Sequence, residues 1–114
     1  MSSDFMQMTP HSIQRTAQRA ISHRMLSVLI ENSSPRFHKG RLVYLGQDST
    51  VETLKNKGII TSQEEKKYKG LAIICNTDGL LVTAYYPEGR KWKNLMRLPL
   101  YKFYYDLNGQ KIYA

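Results

Sequence analysis

The run Leu71-Ala72-Ile73-Ile74-Cys75, the tetrapeptide Asn76-Thr77-Asp78-Gly79 and the stretch Leu80 to Tyr86 constrain the fold more than any other part of this chain. Two apolar, β-prone arms flank a turn whose Asp-Gly pair supplies the positive φ that tight hairpins require. The arms are expected at the centre of an antiparallel sheet. In the second arm, simple alternation places Leu81, Thr83 and Tyr85 on one face and Leu80, Val82, Ala84 and Tyr86 on the other, with the second as the expected core face. Upstream, the chain from Arg36 turns at Lys39-Gly40 and continues as Arg41-Leu42-Val43-Tyr44-Leu45, a further strand with a short partner, closed by Gly46.

Helices are signalled on either side of this β-rich stretch. Residues 1–8 read as a lead-in or a short strand. Thr9-Pro10 joins an N-cap to a residue pre-set for the first helical position, so a helix is expected from there to about Arg19 or Ala20. Ser22 can cap a second, from His23 to about Glu31, with Met25, Leu26, Val28 and Leu29 inward, and Asn32-Ser33-Ser34-Pro35 ends it. Asp48 to Lys57, capped by Ser49 or Thr50, and a piece opened by Thr61 or Ser62 with Glu64 and Glu65, read as short surface helices ending at Gly58 and Gly70. Past Pro87 the chain is basic and aromatic, and its pattern does not choose between strand and helix before an Asn108-Gly109 turn into Lys111-Ile112-Tyr113. The expected class is α+β, a helical hairpin packed on an antiparallel sheet of about four strands.

Length and charge then limit function. The chain has 114 residues, 41% of them hydrophobic, which supports one modest core and excludes a two-domain enzyme. The lone Cys75 excludes a disulfide framework and a cysteine-based zinc site, and fits a reducing compartment. Neither a run of roughly 18–20 apolar residues nor a signal-like start at Met1-Ser2-Ser3-Asp4 is present, so the expectation is a cytoplasmic protein without a membrane partner. Lys and Arg number 17 against 9 Asp and Glu, a net charge of +8, and such a surplus favours a polyanion, nucleic acid first. It falls in two places. One is Thr9 to Gly46, where Arg15, Arg19, Arg24, Arg36, Lys39 and Arg41 face Glu31 alone, and the other is the tail from Pro87; the segment 47–69 is nearly neutral.

Three sets of residues could carry chemistry. On the first expected helix His11, Arg15 and Arg19 fall within about 80° of one another, while Ile13, Ala17, Ala20 and Ile21 gather opposite. Like charges stacked in this way repel unless an anion such as a phosphate lies against them; a solvated helix face is the simpler reading. Thr83 and Tyr85 could present hydroxyls to a phosphate or ribose, although both are ordinary strand formers. In the tail, Lys91-Trp92-Lys93 and Tyr101 to Tyr105 interleave cations and rings, the combination that holds single-stranded nucleic acid. Arg41 adds a further cation. His11, His23 and His38 lie far apart with no carboxylate pair, so no metal or other cofactor is expected.

The spacing His11-x-x-x-Arg15-x-x-x-Arg19-x-Ile21, followed by Arg41-Leu42-Val43-Tyr44 and the late strand Leu81-Val82-Thr83-Ala84-Tyr85, resembles a family of small bacterial domains of unknown function related to the RelE-type toxins. That family is placed among the metal-independent ribonucleases grouped with barnase, EndoU and colicins, whose plan is N-terminal helices on a curved antiparallel sheet. The resemblance covers roughly residues 9–87, interrupted by a longer insert at 47–69 and followed by the basic aromatic extension 88–114. It implies an endoribonuclease in which His11 would act as base or acid, Arg15 and Arg19 would hold the phosphate, and Thr83 and Tyr85 would orient the phosphate or ribose, with Tyr85 as proton donor. RNA would be cut by attack of its 2′-hydroxyl, leaving a 2′,3′-cyclic phosphate. It also implies an acidic antitoxin or immunity-type partner. The alternative is a non-catalytic module of the same fold that binds RNA or a protein, such as a phage or host-interaction protein.

Overall fold

A computed structural model describes residues 7–8, 20–101, 103–105 and 111–113, the three short strands at 7–8, 103–105 and 111–113 by their backbone. The first expected helix, with His11, Arg15 and Arg19, lies outside the described residues. The expected second helix is present as α1, His23–Asn32. Ser22 is extended, and its Oγ accepts the Met25 N–H at 3.1 Å, satisfying one of the donors a helix start leaves unpaired. At the other end Asn32 and Ser33 side chains donate to the Val28 and Leu29 carbonyls at 2.7 and 2.6 Å. Met25, Leu26 and Leu29 are buried, with Val28 packed beside them.

Strands β2 (Arg36–His38) and β3 (Arg41–Leu45) form an antiparallel hairpin. Both turn residues between them take positive φ, +50° at Lys39 and +78° at Gly40, the geometry whose twist matches the flanking strands. Helix α2 spans Asp48–Asn56 and α3 is the single turn Glu65–Tyr68. The cap of α2 is Gln47 with no side-chain bond, one position ahead of the Asp48 start read from sequence and not the Ser49 or Thr50 expected. Before α3 the capping pair is Thr61 with Glu64: Thr61 N–H donates to Glu64 Oε1 at 2.9 Å and Glu64 N–H to Thr61 Oγ1 at 3.2 Å. The first of these bonds holds the Glu64 carboxyl below its ordinary range.

The expected central hairpin is β4 (Ala72–Asn76) with β5 (Leu80–Tyr85). The sheet order is β1-β5-β4-β3-β2, four antiparallel strands with β1 (Gln7–Met8) added parallel at the β5 edge. The opposite edge is covered, because the Phe37 and Tyr101 N–H groups donate to the Pro99 and Pro35 carbonyls at 2.9 Å each, so β2 does not present an open row of backbone groups. Helix α4 spans Arg90–Met96, and β6 (Phe103–Tyr105) pairs antiparallel with β7 (Lys111–Tyr113) in a separate small sheet. The tail segment containing Lys91-Trp92-Lys93 is therefore helical.

One irregularity redistributes the residues of β5. Ile74 pairs with Thr83 while Cys75 pairs with Leu81, so Val82 is an extra residue and alternation breaks there. Leu81 and Ala84 consequently share the main core with Ile73, Cys75, α1, Val51, Leu54 and Tyr68. Thr83 and Tyr85 stand on the opposite face, in register with Ile74 and Ala72. The expected grouping of Leu81 with Thr83 and Tyr85 is thus corrected, since a strict two-residue period cannot anticipate a bulge. On that second face Trp92, Leu95 and Leu98 pack against Val43, Leu45 and Ala72.

Cys75 is 4% exposed, and burial pushes its thiol up to about 12. A thiol so rarely ionised at neutral pH is a poor nucleophile. The folded protein is expected to give no thiol signal with an aromatic disulfide reagent and the full signal of its one cysteine in guanidinium; rapid labelling of the native chain would contradict this burial.

Candidate nucleic-acid interface

Register across the second sheet face sets the site. His38 pairs with Arg41, Arg41 with Asn76, Arg36 with Val43, Val43 with Ile74 and Ile74 with Thr83, and directly paired residues point to the same side. Arg36, His38, Arg41, Val43, Ile74 and Thr83 therefore share one surface, with Tyr85 two residues beyond Thr83. His38, Lys39 and Arg41 rim a cleft of about 360 Å³ whose floor is Val43, Ile74 and Leu95. Arg36 is turned to structural work, its Nη1 donating to the Leu98 carbonyl at 2.7 Å.

Helix α4 divides its residues between core and solvent. At about 100° per residue, Trp92 and Leu95 fall on the side facing the sheet, and Arg90, Lys93, Asn94 and Arg97 on the opposite one. The latter four are exposed and line a cleft of about 480 Å³ together with Gly89. No carboxylate lines this cleft or the one at His38. The ion pairs among the described residues lie elsewhere, Arg24 with Glu64 and Lys55 and Lys69 with Glu65, each at 3.7 Å. Among the described residues, then, Arg90, Lys93 and Arg97 make no ion pair, while Lys55 and Lys69 of the insert pair with its own Glu65.

Of the residues singled out from sequence, the structure brings Arg41, Thr83 and Tyr85 to one sheet face and sets Trp92 and Lys93 on the helix that lies over it. Lys91 is exposed on the same helix. Lys91, Trp92 and Lys93 do not act as one interleaved strip, because a helix sends Trp92 inward and Lys93 outward. Tyr101 is a packing residue, its ring stacked on Phe37 with centroids 5.0 Å apart. His11, Arg15 and Arg19 lie outside the described residues. Sequence reasoning counted Lys39, Arg90 and Arg97 in the two cationic stretches without singling them out, weighed His38 only as a metal ligand, and passed over Asn94. The spacing Arg90-x-x-Lys93-Asn94-x-x-Arg97 was the available signal, legible only once the segment is known to be helical.

Among the described residues no three His, Cys, Asp or Glu side chains converge in a way that could hold a metal ion, and no helix is long and apolar enough to cross a membrane. Comparison with protein families, with curated proteins and with solved structures finds no match for this chain.

Proposed function

We propose that this protein binds single-stranded RNA on the α4 side of its sheet. The observation that carries the reading is the pair of carboxylate-free clefts, one rimmed by His38, Lys39 and Arg41, the other by Arg90, Lys93 and Arg97. Arg guanidinium forks suit phosphate oxygens, and the half-buried Trp92 between α4 and the insert offers a stacking surface. Clefts rimmed by cations in this way draw polyanions and lose them as salt rises.

A second reading, cleavage without a metal, is favoured by the position of Thr83 and Tyr85 on the face that also carries His38 and Arg41. In it His11 takes the proton of a ribose 2′-hydroxyl, the 2′-oxygen bonds to phosphorus, the bond to the 5′-oxygen breaks, and Tyr85 returns a proton to that oxygen. Arg15 and Arg19 stabilise the charge that builds on phosphorus.

One experiment addresses both. End-labelled RNA is incubated with the full chain in chelator across a salt series, with binding followed by anisotropy and product ends mapped chemically. Binding that weakens steeply with salt is expected. No binding at low salt overturns the first reading, and the absence of 2′,3′-cyclic ends, or equal cutting by His11→Ala, overturns the second.

A further inference from the structure

Two more clefts, of about 330 and 220 Å³, meet at Asp48 and Trp92, which line both. Trp92 is half-buried and rests against the cluster of Val43, Leu45 and Ala72, so its indole is held in place before any ligand arrives. Asp48 is exposed, and its carboxylate has no hydrogen-bond or ion-pair partner among the described residues. Lys69 also lines the larger cleft but turns its ammonium to Glu65 at 3.7 Å. Gly89 borders both this cleft and the cationic one of Arg90, Lys93 and Arg97. The order along the surface is therefore a packed aromatic ring beside a bare carboxylate, then a run of exposed cations.

Asp48 stands in the first turn of α2, where the helix N-terminus favours a carboxylate; beside cations that would hold a phosphate backbone, the ligand part it suits is one that donates to it. The four bases differ in what they offer. Guanine presents its N1–H and N2–H side by side, matching the two oxygens of a carboxylate. Uracil presents one imino group between two carbonyls that the carboxylate repels, and adenine and cytosine set an amino donor beside a ring-nitrogen acceptor. Resting on the RNA-binding reading above, we infer that Asp48 and Trp92 form a guanine subsite, the base stacking on Trp92 and giving both donors to Asp48 while its phosphate lies toward Arg90 and Lys93.

Trp92 is the one tryptophan of the chain, so the emission of the full protein reports the stack directly. The probes are 2′-O-methyl oligouridines of about eight nucleotides carrying one central guanine, adenine, cytosine or uracil, which cannot be cut. The guanine strand is expected to quench the tryptophan and to bind roughly tenfold tighter than the uracil strand. Asp48→Ala is expected to erase that preference while leaving the uracil strand bound at least as well. Equal affinity for the four strands, tighter guanine binding without a change in emission, or a preference that survives Asp48→Ala overturns the subsite alone. Failure of every strand to bind in anisotropy at low salt overturns the RNA-binding reading together with it.

Discussion

Gly46→Ala is expected to unfold about 12 °C or more below the parent in a thermal melt, the equivalent of about 3 kcal/mol for a domain of this size. A Cβ at this position runs into the Tyr68 carbonyl oxygen, with the carbonyl carbon at 3.0 Å and the Leu71 nitrogen at 3.4 Å. These are backbone atoms and cannot rotate aside. They are also pinned, because Gly46 N–H donates to the Leu71 carbonyl at 2.7 Å and Gly70 N–H to the Gly46 carbonyl at 2.9 Å. Relief requires prising the α3 turn from the end of β3, and that turn carries Tyr68, which is fully buried in the main core. Gly40→Ala is the contrasting case, with φ at +78° but nothing within 4 Å of its added carbon, so it bears only the left-handed strain of about 1 kcal/mol. A Gly46→Ala protein melting beside Gly40→Ala would show that the close approach does not matter.

Removing three cations from α4, Arg90→Ala with Lys93→Ala and Arg97→Ala, is expected to weaken binding of single-stranded RNA roughly 50-fold at about 0.15 M salt. That figure follows from three lost phosphate contacts, each adding about 0.7 to the logarithmic salt slope for a single strand. The slope itself should become shallower by about 2, and the difference between variant and parent should vanish near 1 M. All three side chains are exposed and α4 buries none of its residues completely, so the melting temperature is expected to move little. The matched control replaces Lys57, Lys66 and Lys67, exposed cations of the insert, by Ala, changing net charge equally. Similar losses in the two triple variants would mean that overall charge, and not the α4 ridge, governs binding.

The readable parts of the fold were those whose cause is local. Ser22 capping α1, Thr61 with Glu64 before α3, and the turns at Lys39-Gly40 and Asp78-Gly79 each follow from side chains within a few residues of the backbone they serve. The hairpin of β4 and β5 belongs with them, because two apolar arms joined by such a turn have few other partners. The α4 segment was not readable in this way. Its sequence, Arg-Lys-Trp-Lys-Asn-Leu-Met, has weak apolar periodicity, and it becomes a helix by laying Trp92 and Leu95 on a sheet face that residues some 50 positions earlier help to build.

The candidate site divides along the same line. Arg41, Thr83, Tyr85, Trp92 and Lys93 could be named from their chemistry, and the charge of the tail pointed to α4. That Thr83 and Tyr85 share a face with Arg41 depends on the extra residue at Val82, and the meeting of Asp48 with Trp92 depends on how α2 and α4 settle beside one another. By itself, then, the sequence determined the α+β class, the central hairpin and a cationic surface, because turns, caps and charge act over a few residues or through the whole field. The tertiary structure alone decided which face the hydroxyls occupy, why Gly46 must be glycine and where a lone carboxylate meets the tryptophan, because each of these depends on backbones from distant parts of the chain coming within van der Waals reach.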